Sequence, residues 1–520
     1  MDRYRNPVTV FVVLLAFFLL LTPVSGQTSE PYWPTDGWRT STPEEQGMDS
    51  AVLLDLLNEL HSGVTISAHS LLVIRHGYVV LDVSSAPYRS DQPHQLYSAA
   101  KSFLSTLAGI AIDKGLIGGV DQSIWDFFSK EGVANMDARK EAIQLQHLLT
   151  MSSGLNYAGM GQWYEDPMYL IRENGPAWVD WMLGQRMMDE PGTAFLYSDG
   201  QAQLVSAIIQ KASGQTALAF AQENLFAPLG IRDVTWLADP QGVTRGGGDL
   251  FISPRDMAKL GYLFLRNGEW DGQQIVSPAW VASAVTDFYA GPPDYGYYWW
   301  LNTGALPGYG AQGYGGQAIF VLPEQDMVVV VTGDYRAYGE SVRVQAASAA
   351  TADAPLPPNP AAQEQLQALV EAMQNPAPVE VVSKPELEAQ ISGQMYDLSP
   401  NTEKWTGIGL TFEGDQAVLH LEMVDNPLDI PVGLDGVYRV SEHGLPALTG
   451  WLRTLPDVPL AAQGRWGRGE SFIVHLRDLR GMQEMELILN FKDGLEVSLS
   501  ENYALAKLGR YGFTVRGTLR

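Results

Sequence analysis

At 520 residues the chain is longer than one hydrophobic core usually spans, and with 46% hydrophobic and 18% charged residues it reads as globular rather than disordered or fibrous. Its formal charge of −26, from 59 acidic against 33 basic residues with no Lys/Arg cluster, argues against nucleic acid as a partner and suits a soluble, self-repelling surface. There is no cysteine, which excludes a disulfide framework and a lipidated cysteine anchor and leaves the fold to stand on its core.

The chain opens with Arg3 and Arg5, an apolar run, then Pro23, Ser25 and Gly26. This is the pattern of a secretory signal peptide over residues 1–26, so export to a periplasm or out of the cell is expected, with an uncleaved anchor as the alternative. No stable membrane insertion is expected once the signal is removed. Leu53, Leu54, Leu56, Leu57 and Leu60 in "DSAVLLDLLNELHSG" predict an amphipathic helix, and "SLLVIRHGYVVLDVSS" predicts a hairpin turning at His76-Gly77. Helical stretches then predominate from about 98 to 290, broken by loops rich in Gly, Trp and Tyr. "YGYYWWLN", "GGQAIFVLP" and "DMVVVVTGDY" return to strand composition. An opening hairpin, a helical middle and closing strands predict an α+β domain over residues 27–353, an antiparallel sheet built from both ends of the segment and flanked by helices. Residues 354–377 form a Pro-rich linker with a short helix capped by Asn359 and begun by Pro360. Residues 378–520 alternate in short segments between Gly, Asp and Pro, which predicts a separate C-terminal all-β domain, a small barrel or sandwich. That domain shows no chemical constellation.

Ser98-Ala-Ala-Lys101 is the one Ser-x-x-Lys in the chain. At the start of a helix this spacing stacks both side chains on one face, where a lysine of lowered pKa can accept the hydroxyl proton and activate it as a nucleophile. The competing reading makes Ser98 an N-cap and Lys101 a snorkelling surface residue. The apolar "FLSTLAGIAI" that follows predicts a central helix, and a lysine heading a buried helix needs a reason. No Gly-x-Ser-x-Gly elbow or His-Glu-x-x-His motif offers another active centre, and neither a metal nor a cofactor is expected. Asp256, in the first turn of the helix begun by Ser253-Pro254, is read as dipole compensation, and His147 as a packed or capping residue.

Together, "LYSAAKSFLS", "IQLQHLLTMSSGLNY", "PGTAFLYSDGQAQLVSAIIQKASGQ", "LFAPLGI", "GGGDLFISPRDMAKLGYLFLRNGEWDGQQIVSPAWV" and "GYGGQAIFVLPEQDMVVVVTGD" resemble, in order, class C β-lactamase-related serine hydrolases. The similarity is strongest to the branch containing 6-aminohexanoate-dimer hydrolases and esterases, and it covers roughly residues 40–350. It implies a β-lactamase/transpeptidase-like fold, Ser98 as the acylated nucleophile and Lys101 as its proton acceptor. Tyr197-Ser198-Asp199 matches the family's Tyr-x-Asn, so Tyr197 would shuttle the proton to the leaving group. Tyr314-Gly315-Gly316 would stand for the Lys-Thr-Gly motif, and the backbone N–H of Gln317 would join that of Ser98 in the oxyanion hole.

Two departures matter. Asp199 replaces the usual Asn: beside Lys101 it favours the ammonium form and shifts weight to Tyr197, and pointing away it caps a helix. Tyr314 replaces the cation that faces the carboxylate of β-lactam and peptidoglycan substrates, which favours a small-molecule ester or linear amide. Tyr314, Gly315, Gly316 and Asp199 are thus candidate substrate-facing residues, joined by Trp163 among the aromatic residues Tyr164, Tyr297, Trp299 and Trp300. The expected protein is an exported serine hydrolase with its oligomeric state left open. The competing readings are a D-amino-acid-specific peptidase, penicillin-binding carboxypeptidase or β-lactamase, and a catalytically idle scaffold.

Overall fold

His76 and Gly77 take φ of 51° and 78°, the paired positive values that a two-residue hairpin turn requires, and so join strand β2 (Ala68–Arg75) to β3 (Tyr78–Ser84). The computed structural model describes residues 32–62, 68–156, 177–288, 293–334, 339–401, 404–423, 427–444, 458–501 and 512–520. The signal-peptide expectation for residues 1–26 lies outside them. With β1 (Arg39–Thr40), β4 (Trp300–Asn302), β5 (Gly308–Gly313), β6 (Gln317–Leu322) and β7 (Met327–Gly333), the hairpin builds a seven-stranded sheet. Its order is β1-β3-β2-β7-β6-β5-β4, so strands from the two ends of the domain meet at the antiparallel β2–β7 pair. All its pairings are antiparallel except that of β1 with β3.

Residue alternation sends the strands' side chains into two cores. Leu72, Ile74, Ile319, Val321, Val328 and Val330 pack on one face against the central helices α2 (Ala100–Asp113), α3 (Asp199–Ser213) and α4 (Pro254–Leu265). Leu71, Val73, Phe320, Val329 and Val331 pack on the other against α1 (Ser50–Ser62), α5 (Gly339–Ser348) and α6 (Pro360–Gln374). The linker helix is thus part of the domain's outer layer. It starts as its sequence predicts, with Asn359 Oδ1 accepting from the N–H of Ala362 at 3.3 Å and Pro360 in the first turn.

Ten C-terminal strands follow: β8 (Gln394–Leu398), β9 (Trp405–Glu413), β10 (Gln416–Met423), β11 (Leu428–Gly433), β12 (Arg439–Ser441), β13 (Leu460–Trp466), β14 (Ser471–Asp478), β15 (Glu484–Asn490), β16 (Leu495–Glu501) and β17 (Gly512–Leu519). They run in the order β11-β10-β9-β8-β17-β16-β15-β14-β13-β12, and a Gly433–Gln463 bridge joins β11 to β13. That bridge closes the ring, so of the barrel and the sandwich the protein builds the barrel. Trp405, Leu419, Phe472, Leu487 and Val497 fill its interior. Two apolar contacts weld the barrel to the first domain: Val458 on Phe251, and Leu479 with Ala461 on Tyr88.

From Ala100 to Ala111 every residue of α2 is buried, as the apolar run predicts. One position has no room at all. A Cβ on Gly109 would stand 2.4–2.5 Å from the Trp280 indole. Alanine there would gain about 1 kcal/mol of helix propensity, but overpacking a core costs about 1–3 kcal/mol, and a rigid ring met this closely places the cost near the top of that range. Gly109→Ala is expected to lower the thermal unfolding midpoint. A midpoint at or above wild type would show that the indole yields without cost.

Candidate active site

Ser98 sits in a single 3-10 turn, Tyr97–Ala99, that feeds α2. Tyr97 holds φ at 48°, uncommon for a residue other than glycine, and the Leu96 N–H just before it is fixed to the Leu250 carbonyl at 2.9 Å. The strained entry leaves Ser98 partly exposed while its neighbours Tyr97 and Ala99 are buried. Ser98 does not cap the helix: the N-cap position is Ala99, and no side chain caps it.

Lys101, one turn on, is 1% exposed, which removes the snorkelling alternative. Its Nζ donates to Ser98 Oγ at 3.0 Å, to Asp199 Oδ1 at 2.5 Å and to the Gly247 carbonyl at 2.6 Å. These acceptors, with Tyr197 as a further neighbour, suit the donors of an ammonium. The electrostatics agree. Burial pulls the Lys101 pKa down, but the Asp199 charge, with Tyr197 and the hydrogen bonds to both, outweighs it and holds the amine above the ordinary lysine value.

Asp199 lies at the first residue of α3, and the capping is done by Ser198, whose Oγ accepts from the N–H of Gln201 at 3.3 Å. Of the two placements open to Asp199 in the sequence, the protein adopts the one beside Lys101. The Tyr197 ring centroid is 4.9 Å from Lys101 Nζ, and the ring stacks on Trp300 at 5.8 Å with Tyr295 edge-on at 6.4 Å.

The third motif forms the turn Tyr314–Gly316 between β5 and β6, with Gly315 and Gly316 at φ of 79° and 91°. The Tyr314 ring meets Tyr97 edge-on at 5.9 Å. The residue pressed against the Ser98 turn, however, is Gly313, where a Cβ would stand 2.2 Å from the Leu96 carbonyl oxygen and 3.1 Å from the Ala99 nitrogen. Gln317 is fully buried in β6 as the cross-strand partner of Gly313, one strand further back. Its side chain ties the turn to β7, donating to Tyr314 O at 3.1 Å and Gly333 O at 2.9 Å and accepting from the N–H of Gly333 at 3.0 Å.

Ser98, Lys101, Tyr197 and Asp199 are therefore brought together, with Tyr314, Gly315 and Gly316 on the adjoining turn. Trp163 and Tyr164 lie outside the described residues. Trp299 is buried against Phe264 at 4.4 Å, so of the adjacent pair only Trp300 reaches the site. Tyr297 stacks on Phe288 instead. His147 Nδ1 accepts from the N–H of Gln144 and Ser253 Oγ from that of Asp256, both at 3.1 Å, the helix-start roles read for these segments. One site feature went unread in the sequence, the Gly247 carbonyl, which was signalled by three consecutive glycines; Trp300 was named there among the aromatic residues without being chosen.

The family model described as Beta-lactamase matches residues 58–354, more than half of the chain. The chain belongs to the beta-lactamase family. It is a hydrolase of the beta-lactamase fold related to an amide hydrolase, with a C-terminal barrel beyond the matched region. It is 24% identical over 286 residues to the 6-aminohexanoate-dimer hydrolase of Paenarthrobacter ureafaciens, covering 50% of this chain and 71% of that protein. It is 27% identical over 163 residues to the monacolin J acid methylbutanoyltransferase of Aspergillus terreus, covering 29% and 39%. Among solved structures it is similar to the octameric penicillin-binding protein homologue from Pyrococcus abyssi, with a TM-score of 0.48, 16% identity, and coverage of 90% of this chain and 100% of that one.

In this beta-lactamase-family site the carboxylate of Asp199 sets the protonation of Lys101. Asp199→Asn removes the opposing charge and leaves burial to dominate, so the Lys101 amine is expected to titrate at lower pH than in the wild type. Titration of the lysine ¹³Cε resonances by NMR, with Lys101 assigned from a Lys101→Arg variant, reads this directly; an unmoved titration would show that Asp199 does not govern the amine.

Proposed function

We propose that this protein hydrolyses an ester or linear amide through an acyl-enzyme on Ser98. The observation that carries the proposal is the 3.0 Å contact from a buried Lys101 Nζ to the hydroxyl of a partly exposed serine. An ammonium donating to Oγ stabilises the alkoxide, so the proton leaves toward Tyr197, beside the same ammonium, rather than toward Lys101. Oγ attacks the substrate carbonyl carbon. The oxyanion is met by the N–H of Ser98 and by one from the strand end at Gly313–Tyr314, which presses on the Ser98 turn, and Gln317 braces that strand end from behind. Tyr197 returns the proton to the departing alcohol or amine. Water, activated by the same groups, then attacks the acyl carbon and frees Ser98.

The segment from Gly308 to Gln317 carries no Lys or Arg, so a substrate carboxylate finds no charge-assisted anchor there, and this favours esters and linear amides over β-lactams. Export by the N-terminal signal pattern belongs to the same proposal. In a stopped-flow assay with a p-nitrophenyl short-chain ester, the wild type is expected to give a burst proportional to enzyme, and Ser98→Ala none. Equal inertness of both proteins on esters, amides and nitrocefin would replace the hydrolase by a binding protein of the same fold. Efficient nitrocefin turnover would instead make it a β-lactamase.

A further inference from the structure

The turn between β14 and β15, Asp478–Gln483, leaves the barrel and reaches the active site. It is internally braced: the Asp478 N–H donates to Gln483 O at 3.0 Å, and Asp478 Oδ1 accepts from the N–H of Arg480 at 2.7 Å. It is also anchored from outside, by Leu479 against Tyr88 and by the Leu479 N–H on Pro459 O at 3.0 Å. From this base the turn makes two contacts. The Arg480 carbonyl accepts from the N–H of Gln95 at 2.6 Å, three residues before Ser98. Met482, 3% exposed, lies so close to Gly315 that a Cβ there would stand 2.2 Å from its Sδ.

These contacts fall on the two walls of the reaction centre. Gln95 leads into the Ser98 turn and is itself fixed by its Nε2 to Asp249 Oδ1 at 2.8 Å, next to the glycines that cap Lys101. Gly315 belongs to the turn that continues from the strand end facing Ser98. With φ of 79° and no side chain, it offers bare backbone on which a methionine, unbranched and polarisable, fits closely. The geometry points to Met482 as a positioning residue of the hydrolase: the barrel turn spans from Gln95 to Gly315 and holds the Tyr314–Gly316 turn at its working distance from Ser98. This rests on the acyl-enzyme reading, and it gives the barrel a part in catalysis that its lack of chemical groups conceals.

The test uses the full-length protein with Met482→Ala and Met482→Leu, measuring burst rate, KM and thermal midpoint. A displacement on the order of 1 Å in a reacting geometry costs up to about a hundredfold in rate, so Met482→Ala is expected to slow the burst by at least about tenfold with KM nearly unchanged, assayed well below its own melting temperature. Met482→Leu, which refills the contact, is expected to recover most of the rate. A Met482→Ala protein that is folded and bursts at the wild-type rate overturns the inference while leaving Ser98 acylation intact. A wild type that neither turns over the ester nor forms a covalent adduct at Ser98 by mass spectrometry removes the acyl-enzyme reading itself.

Discussion

The protein is organised around a buried ammonium. Removing the Lys101 charge from water carries an effective penalty of several kcal/mol, met only if its partners are close and complete. They come from three separate places: Ser98 on the turn ahead of α2, Asp199 at the head of α3, and the Gly247 carbonyl on the loop before α4. Satisfying one charge therefore fixes the relative positions of three helix entries. The close approach explains Gly246 and Gly247, since a Cβ on Gly247 would stand 2.7 Å from the Asp199 side chain and one on Gly246 2.1 Å from the Ala202 carbonyl oxygen.

The same arrangement decides what the lysine does. With a carboxylate at 2.5 Å and acceptors around Nζ, the charged form of Lys101 is favoured, and the proposed reaction therefore uses it as a fixed positive charge. A neutral amine would have to give up the Asp199 interaction, which is the larger part of what offsets burial. The proton of Ser98 then needs another destination. In the proposed reaction that destination is Tyr197, which is packed against Trp300 and Tyr295 and lies next to the ammonium.

Much of this was legible in the sequence because it rests on local rules. Two β-rich runs located both strands of the opening hairpin, His76-Gly77 its turn, and Asn359-Pro360 a helix start, since each depends on neighbouring residues alone. The Ser98–Lys101 pair was legible because a three-residue offset on a helix is a distance. Spacing does not reveal which way a side chain turns at a tertiary junction. Asp199 was open between two roles until the cap proved to be Ser198, and the motif pointed to Gln317 where the residue pressed on the Ser98 turn is its cross-strand partner Gly313. The Asp478–Gln483 turn was invisible for the same reason: its contacts with Gln95 and Gly315 join residues far apart in the chain, and neither methionine nor a backbone carbonyl carries a chemical signature.

The two constraints together describe the substrate this site suits. Its fixed cation is already neutralised by Asp199, and the approaching strand end, Gly308 to Gln317, carries no Lys or Arg, so neither of these offers a positive charge to a substrate anion. The remaining surface is aromatic, with the partly exposed Trp300 and Tyr197 stacked on each other and backed by the buried Tyr295. A neutral carbonyl compound with an apolar flank loses little on entering such a site, whereas a carboxylate would shed its water without a partner in exchange. The proposed preference for neutral substrates thus follows from the requirement that built the centre: a lysine buried deeply enough to act on Ser98 has to have its charge balanced from within.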